Sequence, residues 1–248
     1  MIDNGSGIRE AVDLVRSMID QGQARAVVGN HELNAVACVG ERDTARADLF
    51  ETTVAAYRGD PAGFNRLMDW IPTLPVWIEE SGYRVVHACW DPWMMTRVFG
   101  GEPVASLERW ARMTTSGTPE QEAIDRLTKG GRILTGDEES GTLNKWAIQW
   151  WEEPRNRPWR ELVMLKGRTL PEDNMPPLDD FRHFFTPYGP GNRPVFLGHY
   201  YMKASVPPAA FGSVACVDFS VANRGYLGAY RWSGERVLDN ERFVRVNS

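Results

Sequence analysis

Lysine is nearly missing from this 248-residue chain: of its 28 basic residues only Lys129, Lys145, Lys166 and Lys203 are lysines. Positive charge is scarce overall, with a formal net charge of −5. The basic footprint of a nucleic-acid binder is therefore absent. Arginine supplies the other cations. Two readings of that bias stay open: anion recognition by bidentate guanidinium groups, and nucleotide bias in the source genome. Cysteine is scarce as well. Cys38, Cys89 and Cys216 form an odd set with no C-x-x-C spacing. That argues against a cysteine zinc site or a cysteine nucleophile and fits buried thiols in a reducing cytoplasm. No apolar run approaches the roughly 18 residues a membrane span needs, and the first residues show neither part of a signal peptide. The expectation is a cytoplasmic protein with no membrane or nucleic-acid partner. G-x-S-x-G, P-loop and G-x-G-x-x-G patterns are also missing, which removes the chemistries they carry.

What is present is ordinary globular composition, 42% hydrophobic and 25% charged, which excludes disorder, collagen and coiled coil. The length suits one large domain or a domain with an insertion. Ile8, Val12, Val15 and Ile19 form a helical stripe, and Gly22 is a good helix stop. Strand candidates follow at Ala24–Val28, Leu74–Glu79, Tyr83–Val86, Pro194–Leu197, Val214–Val217 and Tyr226–Trp232, with turns at Ser81-Gly82 and Ser233-Gly234-Glu235. Glu41–Trp70 reads as polar helices broken near Gly59-Asp60-Pro61. The expected class is α/β (α+β). Residues from about 100 to 190 differ in character and carry scattered tryptophans. Trp146 and Trp150, four apart, are expected on one helix face. These rings either pack a helical subdomain or form an aromatic wall over a substrate pocket.

Three apolar strands each run into a histidine: Val28-Gly29-Asn30-His31, Val86-His87 and Leu197-Gly198-His199. Ligands of α/β sheets bind beyond the carboxyl ends of strands, so three of the chain's four histidines are expected to converge there. Imidazole is a common ligand for divalent metals. His183 has no such strand and reads as structural. In Gly29-Asn30-His31-Glu32 the glycine permits a tight turn, the asparagine offers a neutral oxygen and the histidine can donate a proton.

These segments resemble the calcineurin-like metallophosphoesterases, the superfamily of phosphoprotein phosphatases and symmetrical dinucleoside tetraphosphatases. The resemblance is carried by Ile2-Asp3-Asn4-Gly5, Ile8-Arg9-Glu10, Gly29 to Asn34, Val85 to Asp91, Val195 to Tyr200 and Val217 to Ala222. It is weakest from about 100 to 190. It implies a single domain over 1–248 with a four-layer αββα sandwich and a helical, cap-like insertion at about 100–190. It implies hydrolysis of a phosphate ester by a hydroxide bridging two divalent ions of Mn, Fe, Zn or Co. His31 would be the general acid, oriented by Asp3, and Asn30, His87 and His199 would be metal ligands. Asn4 would be a substrate-side residue, and Arg9 or Arg224 could supply the charge it lacks. The substrate class would be a phosphorylated small molecule, a dinucleoside polyphosphate or a phosphoprotein.

Two departures qualify that resemblance. The family's leading Asp-x-His and Gly-Asp motifs, which hold the first metal, do not occur, so the chain reads as N-terminally truncated with an incomplete first site. Asn4 stands where many relatives have a phosphate-binding arginine, and it brings hydrogen bonding without charge. The alternative expectation is a degenerate, weakly active or inactive member that binds a single metal and acts as an interaction module.

Overall fold

The computed structural model describes residues 1–41, 50–136, 143–203 and 210–247. They gather into two compact units, one of residues 1–78 and 92–128, the other of residues 79–91 and 129–248. The stretch from about 100 to 190, expected as one insertion, is shared between them at Thr128 and Lys129. Among the described residues the protein is a mixed α/β fold with eight α-helices and a mixed sheet of five strands.

The first unit is mainly helical. Helix α1 (Ile8–Asp20) has its predicted stripe, with Ile8 and Val12 buried. It ends as expected: Gly22 takes φ +69° and its N–H donates to Ile19, while the Gln23 N–H reaches back to Met18. This pair of bonds satisfies carbonyls that the helix end would leave open. Helix α2 (Asn30–Glu41) follows without the strand expected before it. Ala24–Val28 forms no ladder, and the Val28 N–H donates only to the Pro75 carbonyl, at 2.9 Å. Helices α3 (Glu51–Ala56) and α4 (Pro61–Trp70) break at Gly59-Asp60 as predicted. Residues 42–49 of that polar stretch lie outside the described residues. Asp60 caps α4 through the Gly63 N–H, with Pro61 in the first turn, where its missing N–H costs nothing. Strand β1 (Trp77–Glu79) and helices α5 (Pro92–Arg97), α6 (Leu107–Thr114) and α7 (Pro119–Lys129) complete the series. The core here is aromatic: Trp77 meets Phe99 edge-on at 5.6 Å, and the buried Trp110 donates its indole N–H to the Pro72 carbonyl. Both arrangements suit rings that must bury area and satisfy one polar atom.

The second unit is built on strands. They are β2 (Arg84–Val86), β3 (Arg132–Thr135), β4 (Asn144–Ala147), β5 (Val195–Leu197), β6 (Ala210–Phe211), β7 (Val214–Cys216), β8 (Asp218–Phe219), β9 (Tyr226–Tyr230) and β10 (Phe243–Asn247), with helix α8 (Trp159–Leu162). The five-stranded sheet has the order β1-β2-β5-β7-β6, and the boundary between units falls within β1, after Ile78. Strand β5 runs parallel to both β2 and β7, while β6 is antiparallel to β7. A separate antiparallel ribbon joins β8, β9 and β10. Its turn needs Gly225, where a Cβ would lie 1.8 Å from the Phe219 carbonyl oxygen. Strand β10 lies beyond Tyr226–Trp232, the last of the strand candidates in the sequence.

Two expectations for residues 100–190 are corrected. The stretch is helical only through α6 and α7; from Arg132 it is a hairpin, one short helix and 3-10 turns. Trp146 and Trp150 share no helix. Trp146 sits in β4, and residues 146, 148 and 150 are all buried, at 2%, 0% and 0% exposure. That alternation is the period of extended chain. Trp146 packs a core with Ile133, Ile148, Trp159, Leu162 and Phe185, while the Trp150 ring meets Trp151 edge-on at 5.5 Å and Tyr188 at 5.8 Å.

Candidate functional site

In the first unit, Gly29-Asn30-His31-Glu32 opens α2 rather than leaving a strand. Glu32 closes the helix start by accepting the Gly29 N–H at 3.2 Å, half of a reciprocal cap. This fixes the turn that carries His31. The His31 Nδ1 lies 2.8 Å from the Asp3 Oδ2, and Asp3 is held in turn by Thr53. The Thr53 hydroxyl donates to Asp3 Oδ1 at 2.6 Å and accepts the Asp3 backbone N–H at 3.0 Å. Asp3 keeps this position at φ +69°, a left-handed conformation unusual outside glycine. Its side chain is 5% exposed and that of His31 31% exposed.

Electrostatics follow from this contact. The hydrogen bond to Asp3 raises the His31 pKa above its ordinary 6.5, against partial burial, with the Asp3 and Glu32 charges adding to the rise. A carboxylate on Nδ1 fixes the tautomer and leaves Nε2 as the position for a transferable proton. The imidazolium therefore persists at a higher pH than in a free histidine, which is what a proton donor near neutrality requires.

In the second unit, His87 follows β2 and His199 follows β5, two adjacent parallel strands. The Gly198 N–H donates to the His87 carbonyl at 2.9 Å, tying the two loops together. The rings meet edge-on with centroids 5.4 Å apart. His199 takes φ +66°, a strained conformation of the kind that collects at functional sites. Its Nε2 lies 2.8 Å from the Arg132 guanidinium. Arginine can only donate, so this Nε2 carries a lone pair.

That electronic state is the one a metal-bound imidazole needs, so the pair suits a divalent ion in donor type. Arg132 would have to yield its place to such an ion. Among the described residues, no three His, Cys, Asp or Glu side chains cluster as a ready ligand set. The assigned residues divide between the units: Asp3, Asn30 and His31 lie in the first, His87 and His199 in the second.

The substrate-side residues fare differently. Arg9 is engaged, pairing with Asp60 at 2.6 Å and lying over the Tyr57 ring at 5.0 Å. Asn4 is exposed, and Arg224 is exposed at φ +61° before β9. His183 is exposed in a 3-10 turn, its ring centroid 4.1 Å from that of Phe184. All three cysteines are buried thiols outside any disulfide, as expected.

Sequence reasoning missed a basic cleft of about 160 Å³ in the second unit, lined by Arg132, Lys145, Lys166, Arg168, His199 and Tyr201 among others. Burial lowers the Lys166 pKa, an effect that the Asp218 carboxylate opposes. One signal pointed here. In a chain almost without lysine, Lys145 and Lys166 line this cleft, and Lys166 and Lys203 line the one beside it. Comparison with protein-family models, curated proteins and solved structures gave no match to this chain.

Proposed function

We propose that this protein is a metal-dependent phosphoesterase of the calcineurin-like type, with that family's four-layer sandwich as its architecture. The reading is carried by one observation: His31, in the motif Gly29-Asn30-His31-Glu32, is held by a carboxylate that is itself held by Thr53. In this role His31 donates a proton from Nε2 to the leaving oxygen, and Asp3 stabilises the imidazolium before transfer. His87 and His199, both in the second unit, would hold a divalent ion, and Asn30 keeps the ligand role that the resemblance implies. Such an ion, when bound, neutralises phosphate charge and lowers the pKa of water. The pairing of His87 and His199 at the carboxyl ends of neighbouring parallel strands supports that assignment.

The test compares wild type, His31→Ala and His199→Ala with Mn²⁺ on p-nitrophenyl phosphate and on phenyl phosphate. Loss of a general acid costs about 10²–10⁴-fold, and more with a poor leaving group. His31→Ala should therefore fall further on phenyl phosphate while keeping its metal, and His199→Ala should lose metal. Equal losses on both substrates would refute the acid role. One bound ion with no turnover by wild type would favour a metal-binding module instead.

A further inference from the structure

We infer that the basic cleft of the second unit binds a phosphorylated organic compound, its oxyanion among Arg132, Lys145, Lys166 and Arg168. The β3–β4 hairpin sets the first two. Ile133 pairs with Trp146 and turns inward to the core, so the cross-strand pairs on either side, Arg132 with Ala147 and Leu134 with Lys145, share the outer face. Arg132 and Lys145 are thus diagonal neighbours. Arg168 is fixed beside them, its guanidinium 4.1 Å over the Trp146 ring and donating to the Lys145 carbonyl. Lys166 sits at φ +52° with its ammonium 5.4 Å from the Tyr201 ring.

Elsewhere arginines find carboxylates, as Arg84 does Glu79 and Arg112 does Glu120. Among the described residues none of these four cations forms an ion pair. The nearby Asp218 is turned to backbone, accepting the Ser220 N–H at 3.0 Å and the Tyr201 N–H at 3.4 Å. Four like charges around one small concavity repel one another, and a doubly charged oxyanion relieves that repulsion while accepting several charge-assisted hydrogen bonds. An adjoining cleft of about 290 Å³ shares Met164 and Lys166 with the first and is lined by Val163, Leu165 and Phe211. It gives the uncharged part of the ligand an apolar seat next to its phosphate.

The experiment is calorimetric titration of the whole protein with inorganic phosphate and with phenyl phosphate, in EDTA, so that no metal contributes. Phenyl phosphate should bind tighter than phosphate, and both should weaken as salt is raised. Arg132→Gln and Lys145→Gln change exposed side chains and should keep the fold by circular dichroism. Each should weaken binding about tenfold or more, since a hydrogen bond to a charged group is lost, whereas Lys145→Arg should retain it. His31→Ala should bind as wild type does, since His31 lies in the first unit and lines no part of this cleft, whereas His199, the proposed metal ligand, does line it. No saturable binding, or binding unchanged in Arg132→Gln and Lys145→Gln, would overturn the assignment. Equal affinity for the two probes would overturn the apolar seat.

Discussion

Thr53 is where the proposed proton donor is anchored, and replacing it by valine tests the anchoring directly. Valine keeps the shape and β-branching, so helix propensity and packing nearly cancel. Only the hydroxyl is lost. Thr53 is 0% exposed, and its hydroxyl makes two hydrogen bonds with Asp3, one to the carboxylate and one from the backbone N–H. The first is worth about 1.5–3 kcal/mol and the second about 0.5–1.5 kcal/mol. Water cannot readily replace them at a residue whose side chain is 5% exposed. Thr53→Val should therefore cost about 2–4.5 kcal/mol, or roughly 4–18 °C in melting temperature for a chain of this size. Thr53→Ser is the control. It keeps the hydroxyl and loses one methyl, worth about 1 kcal/mol. Urea denaturation followed by circular dichroism gives both values, and NMR titration of the His31 ring should show its pKa moving back toward the ordinary value in Thr53→Val. A valine variant as stable as the serine variant would refute the reasoning, because the hydroxyl would then hold nothing.

Three further outcomes follow from the same contacts. Since Asp3 raises the His31 pKa above 6.5, the charged pair stabilises the fold fully below that value and fades as pH rises through the raised one. Asp3→Asn should therefore lower the urea midpoint more at about pH 6 than at about pH 9, and a pH-independent difference would sink the pair. Gly225→Ala should destabilise by more than about 3 kcal/mol, because its Cβ would meet the Phe219 carbonyl oxygen and backbone must move; a change below about 1 kcal/mol would show the turn relaxes freely. Burial pushes the Cys216 thiol up to about 12, so iodoacetamide should leave it unlabelled in the native protein and alkylate it after denaturation. Rapid native labelling, read by mass spectrometry, would contradict that.

The legible parts of the fold are those written locally. The α1 stripe with its Gly22 stop, and the cap at Asp60-Pro61, need only neighbouring residues. The runs at Arg84–Val86, Val195–Leu197 and Val214–Cys216, largely apolar, are short but bounded by turn residues. Ala24–Val28 has the same local look, yet pairing is non-local, and this segment meets Pro75 through one backbone bond rather than a ladder. A spacing of four is one helical turn and also two strand repeats, which is why Trp146 and Trp150 suggested a helix; the intervening Ile148, equally buried, decides for extended chain. Of the site, Asp3 and His31 are joined as their motif implied, 28 positions apart in sequence. The basic cleft was hidden because its cations come from three places in the chain, Arg132, Lys145 and the segment holding Lys166 and Arg168. Only the β3–β4 register and the tertiary fold bring them to one face.

The parallel pairing of β2 with β5 sets Arg84 against Val195. On a ribosome, β2 is therefore made long before the strand that completes its ladder. At about 5–20 residues per second the wait is roughly 5–20 s. The first unit has no such delay, since all its residues precede Lys129 and it can close while the rest is still being made. During the wait the β2 strand, ending in the buried Val86, is a nascent segment with free hydrogen-bonding groups, open to neighbouring chains and to chaperones. Vectorial synthesis thus gives the two units different exposures to misassembly, although they share one polypeptide.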